Sequence, residues 1–149
     1  MESTRELFQI MTRRFGLLNK NCCTVGGCDI SPVQSHILFE VDRQSHPSIQ
    51  QVAETLGTDI TTFSRQVQAL IKMKLVQKTP DKADRRVSTL SLTTEGKFVA
   101  AAIDRQMRSY FDEVFSFMTE FEKETVLRSI QLMNEAMAKS EFCCSPVLG

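Results

Sequence analysis

Cysteine carries the widest chemistry of any residue type in this chain. It occurs five times, as the vicinal pairs Cys22-Cys23 and Cys143-Cys144 and as Cys28. All five fall outside the segments whose spacing predicts helix, in a stretch with two adjacent glycines and in a tail with proline and glycine. Inert cysteines more often sit on apolar helix faces, so this placement favours thiol chemistry, with simple burial as the alternative. Structural zinc sites commonly space their thiols two residues apart, and neither pair does so. Soft thiophilic ions such as arsenite, antimonite, cuprous, cadmium or mercuric ion need only two or three thiolates, which a loop and a tail can supply. Oxidation could instead join loop to tail by a disulfide, within one chain or between two, if the segments come within about 6 Å. The expected sensing set is therefore Cys22, Cys23, Cys28, Cys143 and Cys144, acting on a soft metal, metalloid or oxidant as effector, with no obligatory cofactor. His36 and His46 form no metal-binding spacing. No nucleophile motif or phosphate-binding glycine loop is present, so the chain is not expected to be an enzyme.

A second set of residues offers recognition chemistry. Thr61, Thr62, Ser64, Arg65, Gln66 and Gln68 decorate the outer face of one helical segment, and Lys82, Arg85 and Arg86 follow in a charged loop. Such side chains hydrogen-bond base edges and phosphates, and a basic loop beside the helix can reach phosphates or a narrow minor groove. Taken singly, each is most simply a solvated polar surface. Their charge distribution argues otherwise. The 149 residues carry 18 Lys+Arg and 18 Asp+Glu, a formal charge of zero. Residues 1–59 hold 5 basic against 7 acidic residues, net −2; residues 60–92 hold 7 against 2, net +5; residues 93–149 hold 6 against 9, net −3. The positive charge is gathered where the recognition residues lie.

The elements that must position these groups follow from periodicity. Leu7, Met11, Phe15 and Leu18 predict a first helix over about 4–19, and residues 21–29 read as a loop. Ser31-Pro32-Val33-Gln34 is a helix start, with cap, proline and capping-box glutamine in order, opening a second helix to about Arg43. Ser48 and Gln51 open a short third helix that ends at Gly57. Asp59 then caps a fourth, with Ile60, Phe63, Val67, Leu70 and Ile71 as its inner face. Two short helices joined this tightly suggest a helix-turn-helix. Leu75 to Thr79 and Arg86 to Leu92 read as a hairpin around the loop from Pro80 to Arg85. Thr93 or Thr94 starts a long fifth helix to about Met118, with Val99, Ile103, Met107, Phe111 and Val114 along one side. Thr119 and Glu122 start a sixth, lined by Val126, Ile130, Met133 and Met137.

From Ile49 to Lys97 the sequence resembles the winged-helix core of MarR-type bacterial regulators, in Val52-Ala53-Glu54-Thr55-Leu56-Gly57, Leu75-Val76, Asp84-Arg85-Arg86 and Leu92-Thr93-Thr94-Glu95-Gly96. With the flanking helices the resemblance extends to about Ser140. It implies a mainly α fold with a small β-hairpin wing, in a single domain over 1–149: a winged helix-turn-helix lobe at 30–93 and a helical dimerisation lobe from 1–20 and 94–142. It further implies an obligate homodimer on palindromic double-stranded DNA, with Asp84 and Arg86 bracing the wing and an arginine at its tip entering the minor groove. Two positions depart from the family pattern. Lys74 replaces a glycine, so a blunter helix exit or an extra phosphate contact is expected. Asp59 replaces a serine, a charge that suits a helix N-terminus but repels a phosphate.

At 42% hydrophobic and 24% charged residues, the chain is long enough to bury a core of its own. No apolar run reaches the ~18 residues of a membrane span, and the polar N-terminus lacks a secretory pattern, so no membrane partner and a cytoplasmic location are expected. The apolar stripes of the first, fifth and sixth helices exceed what a small winged core covers, which independently favours a partner chain. The reading is thus a DNA-binding repressor released through its cysteines. Its rivals are the same fold sensing a small organic or aromatic effector, and a thiol oxidoreductase or metal-sequestering protein.

Overall fold

The computed structural model describes residues 2–16, 23–25 and 28–140, with side chains described for 2–16 and 29–140. The chain divides into two compact units, Met1–Asp104 and Arg105–Gly149.

The first unit opens with α1 (Thr4–Phe15), capped by Ser3, whose Oγ accepts from the Glu6 N–H at 3.2 Å. The helix is shorter than its apolar period predicts. It stops at Gly16, whose N–H turns back to the Arg13 carbonyl. Within the stretch expected to be a loop at 21–29, the described residues instead form two paired antiparallel strands, β1 (Cys23–Val25) and β2 (Cys28–Ile30), in the register Cys23↔Ile30, Thr24↔Asp29, Val25↔Cys28. Thr, Val and Ile suit a pleated strand, and a Gly-Gly pair between two such runs is a hairpin signal that the short runs obscured.

Helix α2 (Pro32–Gln44) has the predicted capping box: Gln34 N–H donates to Ser31 Oγ and Ser31 N–H to Gln34 Oε1. Helix α3 (Ile49–Leu56) repeats it with Ser48 and Gln51. Glu40 accepts from Arg43 at 2.7 Å and from Gln44, which reaches on to Thr55 and ties α2 to α3. The core of this unit is built by Ile30, Ile37, Leu38 and Val41, by Val52 and Ala53, by Phe63, Val67 and Leu70 of α4 (Ile60–Lys72), and by Leu75, Val76, Leu90 and Leu92 of the second hairpin. Phe63 and Leu70 are completely enclosed. Burying side chains of this size contributes roughly 1.5–3 kcal/mol each, before the entropy of ordering them is subtracted. Ile60, expected on the inner face, is 56% exposed, whereas Phe63 in the same turn is fully buried.

The second hairpin comprises β3 (Val76–Pro80) and β4 (Ser88–Leu92), paired antiparallel from Val76↔Leu92 to Pro80↔Ser88. Arg86 and Val87 therefore belong to the loop. The hairpin is sewn to the α2–α3 connection at its third and fourth pairs: Leu90 N–H donates to the Pro47 carbonyl at 2.8 Å, and Ser48 bridges Thr89. Helix α5 (Thr94–Ser116) starts against the exit of α4. Thr93 Oγ1 donates to the Lys74 carbonyl at 2.7 Å, Thr93 N–H donates to Leu75 O, and Gly96 N–H donates to Thr93 Oγ1. Gly96 is obligatory here, since a Cβ would stand 1.9 Å from the Leu75 carbonyl oxygen. The exit of α4 is not blunted by Lys74, which itself takes the left-handed conformation (φ 63°) that a glycine would adopt.

The second unit holds the C-terminal part of α5 and α6 (Glu120–Lys139), which is capped by the Thr119/Glu122 box. Phe111 stacks on Phe115 with ring centroids 6.1 Å apart, and Lys123 Nζ lies 5.5 Å from the Phe115 ring centre. No residue of α6 is buried, and Phe117 and Phe121 at the α5–α6 turn are 84% and 78% exposed.

Candidate nucleic-acid interface

The turn between α3 and α4 is made by Gly57 and Thr58. Gly57 (φ 63°) closes α3 with its N–H on the Glu54 carbonyl while the Thr58 N–H reaches back to Ala53 O, a helix stop that needs the left-handed residue. Asp59 begins α4 at once. Its Oδ1 accepts from the Thr61 N–H at 2.9 Å and the Thr62 N–H at 3.2 Å. The Thr62 hydroxyl, followed by these backbone donors and the charge of Arg65, holds the Asp59 carboxyl below the usual carboxylate range.

With Phe63, Val67 and Leu70 buried, the opposite face of α4 is turned outward. Thr61, Thr62, Ser64, Arg65 and Gln68 are exposed on it, whereas Gln66 is half-buried. The Thr62 N–H serves the Asp59 cap.

The wing tip is closed by two backbone bonds, Asp81 N–H to Val87 O at 2.8 Å and Val87 N–H to Asp84 O at 3.0 Å. Asp84 organises the rest. Its N–H donates to Asp81 Oδ2, and its carboxylate accepts from Arg86 three times, from the backbone N–H and Nε on Oδ1 and from a terminal guanidinium nitrogen on Oδ2. The Arg86 guanidinium beside it lowers the Asp84 carboxyl from its ordinary value. Lys82 and Arg85 are exposed on the same loop, and Lys78 is exposed on β3.

Between the wing and the start of α4 the surface folds into an open cleft of about 620 Å³, lined by Ile49, Ala53, Ile60 and Val87 with Arg86 at its edge. The sequence does not announce it, because its walls come from three separated segments. Among the described residues, no three or more His, Cys, Asp or Glu side chains gather into a metal-holding group. The cysteine set falls elsewhere: Cys22, Cys143 and Cys144 lie outside the described residues, and Cys23 and Cys28 are described only as backbone positions of the first hairpin.

A three-residue turn between a buried-face helix and a polar, outward-facing one, followed by a basic hairpin pinned beside them, defines a winged helix-turn-helix fold. Residues 29–87 match the model of the MarR family. The chain is 29% identical over 100 residues to the HTH-type transcriptional regulator YxaD of Bacillus subtilis, covering 67% of this chain and 70% of YxaD. Its fold is similar to that of FabT of Streptococcus pneumoniae solved in complex with DNA, at a TM-score of 0.76 and 18% identity over 90% of this chain and 94% of that one. It is also similar to MepR of S. aureus in its DNA complex, at a TM-score of 0.75 and 21% identity over 91% and 99% of the two chains. Over residues 29–87 the chain is thus similar to MarR-family regulators, and its fold is theirs.

Proposed function

We propose that this protein is a sequence-specific double-stranded DNA-binding regulator, a homodimeric repressor of palindromic sites. The observation that carries this reading is the exposed polar face of α4 held beside a wing whose basic tip is braced by Asp84. In it α4 enters the major groove, with Arg65 and its neighbours at base edges. Lys82 and Arg85 take the phosphates and the minor groove, and Arg86 holds the wing in shape. FabT and MepR, whose folds are similar, were solved on DNA. Dimerisation accounts for the uncovered apolar side chains of α1 and α6, Leu7, Met11, Phe15, Ile130, Met133 and Met137 among them. A two-fold dimer also sets two recognition helices about one DNA turn apart.

The effector in this reading is a soft metal, a metalloid or a thiol oxidant, acting on Cys22, Cys23, Cys28, Cys143 and Cys144. Two vicinal thiol pairs and a singleton in one chain support it. Release follows if the effector binds the DNA-incompetent state more tightly than the competent one. A second reading, a small organic effector, is favoured by the cleft at Ile49, Ala53, Ile60 and Val87. A mobility shift on the DNA upstream of its own gene, repeated with arsenite, cuprous ion, cadmium and organic peroxide, tests the whole. Wild type is expected to shift that DNA and to lose it with one thiol-directed class. Release unchanged by replacing Cys22, Cys23 and Cys28 with serine would overturn the cysteine reading.

A further inference from the structure

We infer that Asp59 reads sequence: its carboxylate accepts a hydrogen bond from an exocyclic amino group in the major groove, that of cytosine. The inference rests on the DNA-binding reading of α4 given above. The residues at the N-terminal end of a recognition helix are the ones that meet base edges, and Asp59 stands immediately before Ile60, exposed, on the element that carries Thr61, Ser64 and Arg65.

Its carboxylate is fixed rather than free to swing, because Oδ1 is held by the Thr61 and Thr62 N–H groups at 2.9 and 3.2 Å. An ionised carboxylate has about four lone-pair positions. Those two bonds, both on Oδ1, leave acceptor capacity unused. The same bonds rule out the usual role of a recognition-helix start. Helix N-termini hold phosphates through free N–H groups, and here two of those groups are spent on a side chain that is itself anionic. What remains attractive to Asp59 is a hydrogen-bond donor.

In the major groove the bases offer two, the N4 amino group of cytosine and the N6 amino group of adenine. Adenine sets its N7 acceptor beside the amino group, where it faces the second carboxylate oxygen across a like partial charge. Cytosine presents its amino group alone. The chemistry therefore selects cytosine, and Asp59 becomes a discriminator at one base pair of each half-site while contributing nothing to backbone affinity.

The test is selection from a random pool of duplexes by full-length wild type, Asp59→Asn and Asp59→Ser. Asn and Ser are both good N-caps, and thermal melting verifies that both variants stay folded. Wild type is expected to recover a two-fold-symmetric motif. Both variants should recover the same motif except at one pair per half-site, where the preference for cytosine drops by about 5- to 100-fold, the range a single specific base contact supplies. Asn, which brings an amide donor, should move that position toward a base presenting an acceptor. An unchanged preference at every position in both variants would overturn the inference. So would a uniform tightening on all sequences, which is what relief of charge repulsion alone produces. A wild type that recovers no motif overturns the DNA-binding reading itself, a distinct result.

Discussion

At the scale of single residues, the proposed DNA-binding reading separates side chains that would read bases from side chains that brace. Arg65 is exposed on α4 and belongs to the first group. Arg65→Ala should cost about 1–3 kcal/mol on the selected site and relax the base preference, whereas Lys82→Ala should weaken all sequences alike and reduce the salt slope by about one. Fluorescence anisotropy over a salt series distinguishes them. Arg86 belongs to the second group, and its partner gives a pH signature. Asp84 has its carboxyl lowered chiefly by the Arg86 side chain. A carboxyl with a folded value below its unfolded one stabilises the fold fully above the unfolded value, near 3.9, and that contribution disappears as pH falls through the folded value. Acid should therefore loosen the wing first, seen as faster amide exchange at Arg86 and Val87. Arg86→Ala should return the Asp84 titration, followed by carboxyl NMR shifts, toward the ordinary value. The charge run that suggested DNA contact was plain in the sequence. The bracing was legible only through the family resemblance, because Asp84 and Arg86 are two residues apart and only a closed turn brings them face to face.

At the scale of elements, caps and periods were read well where the signal is local. Three capping boxes, at Ser31, Ser48 and Thr119, open helices where the sequence placed them. What failed was competition between signals over short distances. The apolar period of α1 ran past Gly16, and three-residue strands at Cys23 and Cys28 are too short for alternation to show. The junction of α4, β3 and α5 was visible as the string Leu92-Thr93-Thr94-Glu95-Gly96, but its reason is tertiary. Gly96 sits against the Leu75 carbonyl, which is backbone and cannot step aside. Gly96→Ala is expected to lose about 1–3 kcal/mol through overpacking. Lys74→Gly should gain about 1 kcal/mol by relieving a left-handed conformation. Urea unfolding of both variants measures the two signs.

At the scale of the whole molecule, the exposed apolar side chains among the described residues are the ones that the proposed homodimer would cover. Ile130, 48% exposed on α6, is a central member of that surface. Ile130→Glu should turn dimer into monomer by light scattering and abolish binding to a two-half-site duplex, while α2, α3 and α4 keep their helical signal. One further dimension is set by the wing. It is stapled to the α2–α3 connection through Leu90 and Pro47 and through Thr89 and Ser48, towards the tip end of a ladder of five pairs that runs from Val76 and Leu92 to Pro80 and Ser88. Its four steps of roughly 3.4 Å make that ladder about 14 Å long. With the ladder held at its third and fourth pairs, the tip that carries Arg85 is a short, stiff projection; in the proposed DNA-bound arrangement its reach is set by the loop beyond Pro80 and Ser88, and lengthening that loop would change where Arg85 lands.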